Sequence, residues 1–226
     1  MANNKQPDSR EPYVVAIDGP SAAGKSTVAK LVAARLGIDY IDTGAMYRAV
    51  ALAALREEEV GEAAAEIGAL VSGLVIDQAD GRTLLNGEDV TDKIRAAACT
   101  KRASQVSQLP EVRRELVALQ RAIGAHRSVV MDGRDIASNV FPDARYKFFI
   151  TATPEERARR RTLEMKEKGL PCSYDEVFAD IEKRDWDDAN RALNPLVQAP
   201  DTVLIVTDGL GVEEVLEKVL EYIVNP

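Results

Sequence analysis

Gly19-Pro20-Ser21-Ala22-Ala23-Gly24-Lys25-Ser26-Thr27 fits the pattern G-x-x-x-x-G-K-[ST]. It follows the apolar run Tyr13-Val14-Val15-Ala16-Ile17 and opens a segment where Val28, Leu31, Val32 and Leu36 recur at helical spacing. The local order is therefore strand, glycine loop, helix. Such a loop turns successive backbone N–H groups toward phosphate oxygens at the positive end of the following helix, with Gly19 and Gly24 accepting the unusual dihedrals. Lys25 would reach the terminal phosphates and Ser26 would ligate Mg²⁺. A plain tight turn between strand and helix is the competing reading, and it needs neither the lysine nor the hydroxyl.

Working outward, five short apolar runs read as buried parallel strands: Val14–Asp18, Ile38–Ile41, Ser128–Asp132, Tyr146–Thr151 and Val203–Thr207. Helical patterns fall between and after them at about Lys25–Leu36, Ala45–Glu57, Glu62–Val71, Pro110–Ala125, Pro154–Lys168, Tyr174–Asn190 and Val212–Val224. That alternation predicts an α/β sheet covered on both faces. Gly73–Thr91 breaks it, because short apolar runs there alternate with the turn dipeptides Asp80-Gly81 and Asn86-Gly87. A small antiparallel insert is expected.

A chain of 226 residues with 46% apolar content can bury a sizeable core. Residues 1–12 are polar, with Pro7 and Pro12 and no apolar stretch, and read as a disordered tail rather than a signal peptide. No run approaches membrane length. Cys99 and Cys172 lack metal-ligand spacing, which points to a reducing, cytoplasmic setting, and His126 is the single histidine, so zinc and Ser-His-Asp chemistry are disfavoured. The net charge of −8 argues against nucleic-acid binding through a broad basic face. A polyphosphate ligand would then need locally gathered arginines.

Three regions supply candidates. In Asp42-Thr43-Gly44-Ala45-Met46-Tyr47-Arg48, Thr43 and Tyr47 share a helix face beside Arg48; a helix cap with a packed tyrosine reads equally well. Asp132-Gly133-Arg134-Asp135 ends a buried strand, where open α/β sheets bind ligands, although Asp-Gly is also a turn signal. Arg157, Arg160 and Arg161 share a face on one helix, and Arg184, Asp188 and Arg191 share one on the next. Solvated ion-pair ladders would look the same; beside a phosphate loop, such arginines are what a transferring phosphoryl group needs.

Taken together these residues resemble the bacterial cytidylate (CMP) kinases, among the nucleoside monophosphate kinases of the P-loop superfamily. The resemblance spans nearly the whole chain and adds Ala103-Ser104-Gln105-Val106, Phe141-Pro142-Asp143-Ala144, Glu156-Arg157-Ala158 and Arg184-Asp185 with Pro195 and Leu196 to the motifs above. It implies a three-layer α/β/α domain over 13–226 with a five-stranded parallel sheet in the order 2-3-1-4-5. It also implies an insert at about 65–102 between core segments 13–64 and 103–226, and a short lid at about 154–171. CMP contacts carry over onto Thr43, Tyr47, Arg48, Ser104, Arg113, Asp132, Arg134, Asp135, Arg184, Asp188 and Arg191. Lys25, Arg134, Arg157, Arg160, Arg161 and Arg191 would serve catalysis, and residues 19–27 would bind ATP with Mg²⁺. The implied partners are ATP and CMP or dCMP, acting on a monomer without nucleic acid or membrane. The alternative within the class is a UMP- or AMP-directed kinase. A GTPase-like switch would share the loop but should carry N-K-x-D, which is absent from the sequence.

Overall fold

Val14–Asp18 is buried along its whole length and forms β1, the middle strand of a parallel sheet. The computed structural model describes residues 11–57, 64–79 and 81–224. Most of the expected tail, residues 1–10, and the expected helix start at Glu62 lie outside them.

The chain continues through α1 (Lys25–Leu36), β2 (Asp39–Asp42), α2 (Thr43–Arg56) and α3 (Ala64–Ser72), then β3 (Ile76–Ala79), β4 (Arg82–Leu85) and β5 (Glu88–Asp89). Helices α4 (Ala97–Val106) and α5 (Pro110–His126) lead to β6 (Val129–Gly133) and a short π turn, Ile136–Val140. After β7 (Tyr146–Thr151) come α6 (Pro154–Glu167), α7 (Tyr174–Asn190), β8 (Val203–Val206) and α8 (Val212–Val224).

The large sheet runs β2-β6-β1-β7-β8, all parallel. Counting its own strands alone, that is 2-3-1-4-5, as expected. Alternate residues of β1 face opposite layers. Val14 and Ala16 join Met46, Val50, Leu116 and Met131 on the side of α2 and α5, whereas Val15 and Ile17 join Val28, Val32, Phe148, Leu216 and Val219 on the side of α1 and α8. A sheet buried on both faces explains why its strands read as unbroken apolar runs.

The antiparallel insert also forms, in the order β3-β4-β5. Its second turn is Asn86-Gly87, with φ of 51° and 82°, the positive pair that a two-residue hairpin favours. Strand and helix ends shift by a residue or two from the sequence reading. A 3-10 turn at Lys93–Arg95 and the helix α4 are added; α4 buries only Cys99, Ala103 and Val106, residues too small and polar-flanked to print a strong apolar period.

Candidate active site

The glycine loop connects β1 to α1 at the carboxyl edge of the sheet. Gly19 has φ 145°, and a Cβ there would sit 1.9 Å from the Ile150 carbonyl oxygen, so the loop crosses β7 at backbone contact. Gly24, with φ 86°, caps α1 without any side-chain hydrogen bond, which leaves the first amides of the helix for an anion. Lys25 is buried and its Nζ donates to the Pro20 carbonyl at 2.6 Å. Burial, helped by Arg134, pushes the lysine down to about 7, against the pull of Asp132, Asp18 and Asp188.

Asp132 gathers three elements. Its Oδ2 accepts from the Ser26 hydroxyl at 2.8 Å, its Oδ1 from the Tyr40 hydroxyl at 2.8 Å, and its backbone carbonyl from Thr43 Oγ1 at 2.7 Å. Burial first, then Asp42, raises the Asp132 carboxyl above the usual range. Ser26 and Asp132 together offer hydroxyl and carboxylate oxygens, the donor type a hard divalent cation takes. No cluster of three or more His, Cys, Asp or Glu suited to a metal occurs among the described residues.

Beyond β6, Asp135 is buried with a partner on every side. It accepts from Arg113 Nη2, from Arg191 Nη2 at 3.1 Å and from Asn139 Nδ2 at 3.0 Å. Arg113 also lies over the Tyr47 ring, 5.8 Å from its centroid, and its buried Nε has no partner among the described residues. Burial pushes the Tyr47 phenol up to about 12. Arg134 Nε binds Asp188 at 2.8 Å and Arg48 binds Asp42 at 2.9 Å. Arg184 is half-buried and forms no hydrogen bond or ion pair among the described residues; burial and Arg134 lower its pKa.

The arginines of α6 divide. Arg157 donates to the Ser21 carbonyl at 3.2 Å, which puts it against the glycine loop, and Arg160 Nη1 lies 4.0 Å from where a Gly24 Cβ would be. Arg161 is not brought there: it pairs with Glu164 at 2.9 Å. Ser104 is exposed on α4; its carbonyl accepts from the Ser107 hydroxyl and the Gln108 amide, and its hydroxyl has no partner among the described residues.

One residue that sequence reasoning missed is Asp18. Its buried carboxylate accepts the N–H groups of Ile136 at 2.9 Å and Ala137 at 2.7 Å, so the strand entering the glycine loop holds the segment just after Asp135. Burial pushes it up to about 6. A carboxylate ending an unbroken apolar run was the available signal.

A phosphate-cradling loop at the carboxyl edge of a 2-3-1-4-5 parallel sheet, with arginines and carboxylates behind it, defines a P-loop nucleotide-handling protein. A family model described as cytidylate kinase matches residues 15–225. The chain belongs to the cytidylate kinase family. It is 50% identical over 209 residues to a cytidylate kinase of Caldanaerobacter subterraneus subsp. tengcongensis, covering 92% of this chain and 93% of that one. A cytidylate kinase of Solibacter usitatus is 47% identical over 225 residues, covering 99% and 95%. An uncharacterized protein from Eubacterium ventriosum matches in fold alone, with a TM-score of 0.51 at 14% identity over 95% of this chain and 99% of that one.

Proposed function

We propose that the chain is a cytidylate kinase that transfers the γ-phosphoryl group of ATP to CMP or dCMP, giving ADP and CDP or dCDP. The supporting observation is a phosphate loop joined, through Asp18 and Asp132, to a buried carboxylate flanked by two arginines. The loop amides and Lys25 hold the donor phosphates. Mg²⁺, when bound beside Ser26 and Asp132, offsets phosphate charge.

An acceptor phosphate oxygen attacks the γ-phosphorus in line as the bond to the β,γ-bridging oxygen breaks, with no covalent enzyme intermediate. Arg134, Arg184 and Arg191 neutralise the acceptor phosphate, and Arg157, Arg160 and Arg161 serve the donor from a short lid at about 154–171 that closes on the nucleotide pair. Thr43, Tyr47, Arg48 and Asp188 orient the acceptor, and Ser104, Arg113 and Asp135 read the base. Cytosine presents an amino donor at N4 and an acceptor at N3; uracil reverses both, so a carboxylate and an arginine favour CMP over UMP. The protein works as a cytoplasmic monomer: one domain over 13–226, with an acceptor-side insert at about 65–102.

Profiling the purified protein with ATP, Mg²⁺ and each monophosphate tests this. CMP and dCMP should be consumed far faster than UMP or AMP; equal or greater use of UMP or AMP would overturn it.

A further inference from the structure

In the large sheet β2 is an edge strand, so Asp42 has backbone groups with no strand beside them. β3 of the insert passes next to it without joining the sheet. One side chain bridges the gap. The Gln78 amide accepts the Asp42 N–H through Oε1 at 2.8 Å and donates through Nε2 to the Asp42 carbonyl at 2.8 Å, the pair of bonds a neighbouring strand would supply.

Gln78 is 6% exposed and shares the inward face of β3 with Ile76, where the strand's alternation would otherwise place an apolar residue. A buried amide is tolerable because both its donor and its acceptor are used. Its own backbone is held as well: the carbonyl accepts from Arg127 Nη2 at 3.3 Å, and Arg127 pairs with Asp39 at 2.7 Å.

What Gln78 grips is the root of α2. Asp42 Oδ1 caps that helix by accepting the Ala45 N–H at 2.8 Å, Oδ2 holds Arg48, and Thr43 follows directly. We propose that Gln78 is a positioning residue of the acceptor site, through which the insert sets the placement of Thr43, Tyr47 and Arg48. This rests on the assignment of those three to CMP.

The test starts from the wild-type enzyme, with Michaelis constants for CMP and ATP. Gln78→Met keeps the side-chain volume and removes both bonds; the CMP KM should rise roughly tenfold, while kcat and the ATP KM stay within about twofold. Gln78→Glu supplies the pH readout. Its carboxylate would face the Asp42 carbonyl among Asp39, Asp42 and Asp77, with Arg48, Arg82, Arg95, Arg127, Lys30 and the Tyr40 phenol around it. Burial and the neighbouring acids raise such a carboxyl, while the cations around it pull the other way. Once protonated, it regains an O–H to donate.

The ratio of variant to wild-type CMP KM should therefore fall toward the acid end of a profile from pH 8 to pH 5, as the carboxyl takes up its proton. If Gln78→Met does not fold, that ratio carries the test alone. A CMP KM within twofold of wild type, an equal rise for both substrates, or a ratio flat with pH would overturn the role of Gln78. Failure of the wild type itself to use CMP would overturn instead the function on which it rests.

Discussion

Arg157 and Asp185 form a two-pronged ion pair: Nη1 donates at 3.0 Å to Oδ1 and Nη2 to Oδ2, joining α6 to α7. The same guanidinium reaches the Ala152 carbonyl at 2.9 Å and, at Ser21, the glycine loop, and it is 3% exposed. This arginine is a pin, with no donor atom turned freely toward solvent.

Asp185→Ala should strand that buried cation and cost about 3 kcal/mol of stability, whereas Arg157→Met/Asp185→Ala together should cost less than Asp185→Ala alone. Urea unfolding of the single and double variants decides it. A loss below about 1 kcal/mol for Asp185→Ala would mark the pair as solvent-screened.

Lys25→Met should reduce kcat by orders of magnitude while leaving the melting temperature unchanged or higher. The charge is buried at a cost in the free protein, and the methionine removes that cost together with the contact to migrating phosphate charge. Turnover near wild type would remove the lysine from the chemistry.

Asp18 makes stability depend on pH in a fixed direction. Its folded pKa, about 6, exceeds the ordinary aspartate value of 3.8, so between those values the folded state binds more protons than the unfolded one. Its contribution to stability therefore grows as pH falls through 6 and levels off near 4. Relative to Asp18→Asn, the wild type should gain roughly 1 kcal/mol between pH 7 and pH 5 by urea unfolding. No change in that difference would mean the carboxyl is not pushed up.

Asp135→Asn should narrow base choice. It keeps an oxygen for one arginine but loses the charge that holds both and the second acceptor facing an amino group. Two mismatched polar contacts are worth about a hundredfold, so the CMP to UMP ratio of kcat/KM should drop by up to that factor. An unchanged ratio would move base reading elsewhere.

What was legible in the sequence follows from how each feature is encoded. Strands buried on both faces print as apolar runs, so Val14–Asp18 and Tyr146–Thr151 were read to the residue. The loop glycines and Lys25 were legible because phosphate binding fixes their spacing. α4 was not, since Cys99 and Ala103 pack by being small. The π turn Ile136–Val140 was hidden too: its first two amides are satisfied by Asp18, more than a hundred residues earlier, and no local pattern encodes that. Thr43, expected near a helix cap, is the first residue of α2 beside the cap Asp42, and its hydroxyl donates to the Asp132 carbonyl. Gln78 did leave a trace, a polar residue on the inward phase of a short strand, though nothing local named its partner.

Arg184 has a further consequence for the life of the protein. Its half-buried guanidinium forms no hydrogen bond or ion pair among the described residues, and Asp180 and Asp188 offset its charge only through space, so an anion bound there would favour the folded chain. Ligand binding then returns free energy to folding, by an amount that grows with the free concentration of nucleotide. Chains that open less often are cut less often. On the proposed function, the half-life of this protein would accordingly rise and fall with its nucleotide supply.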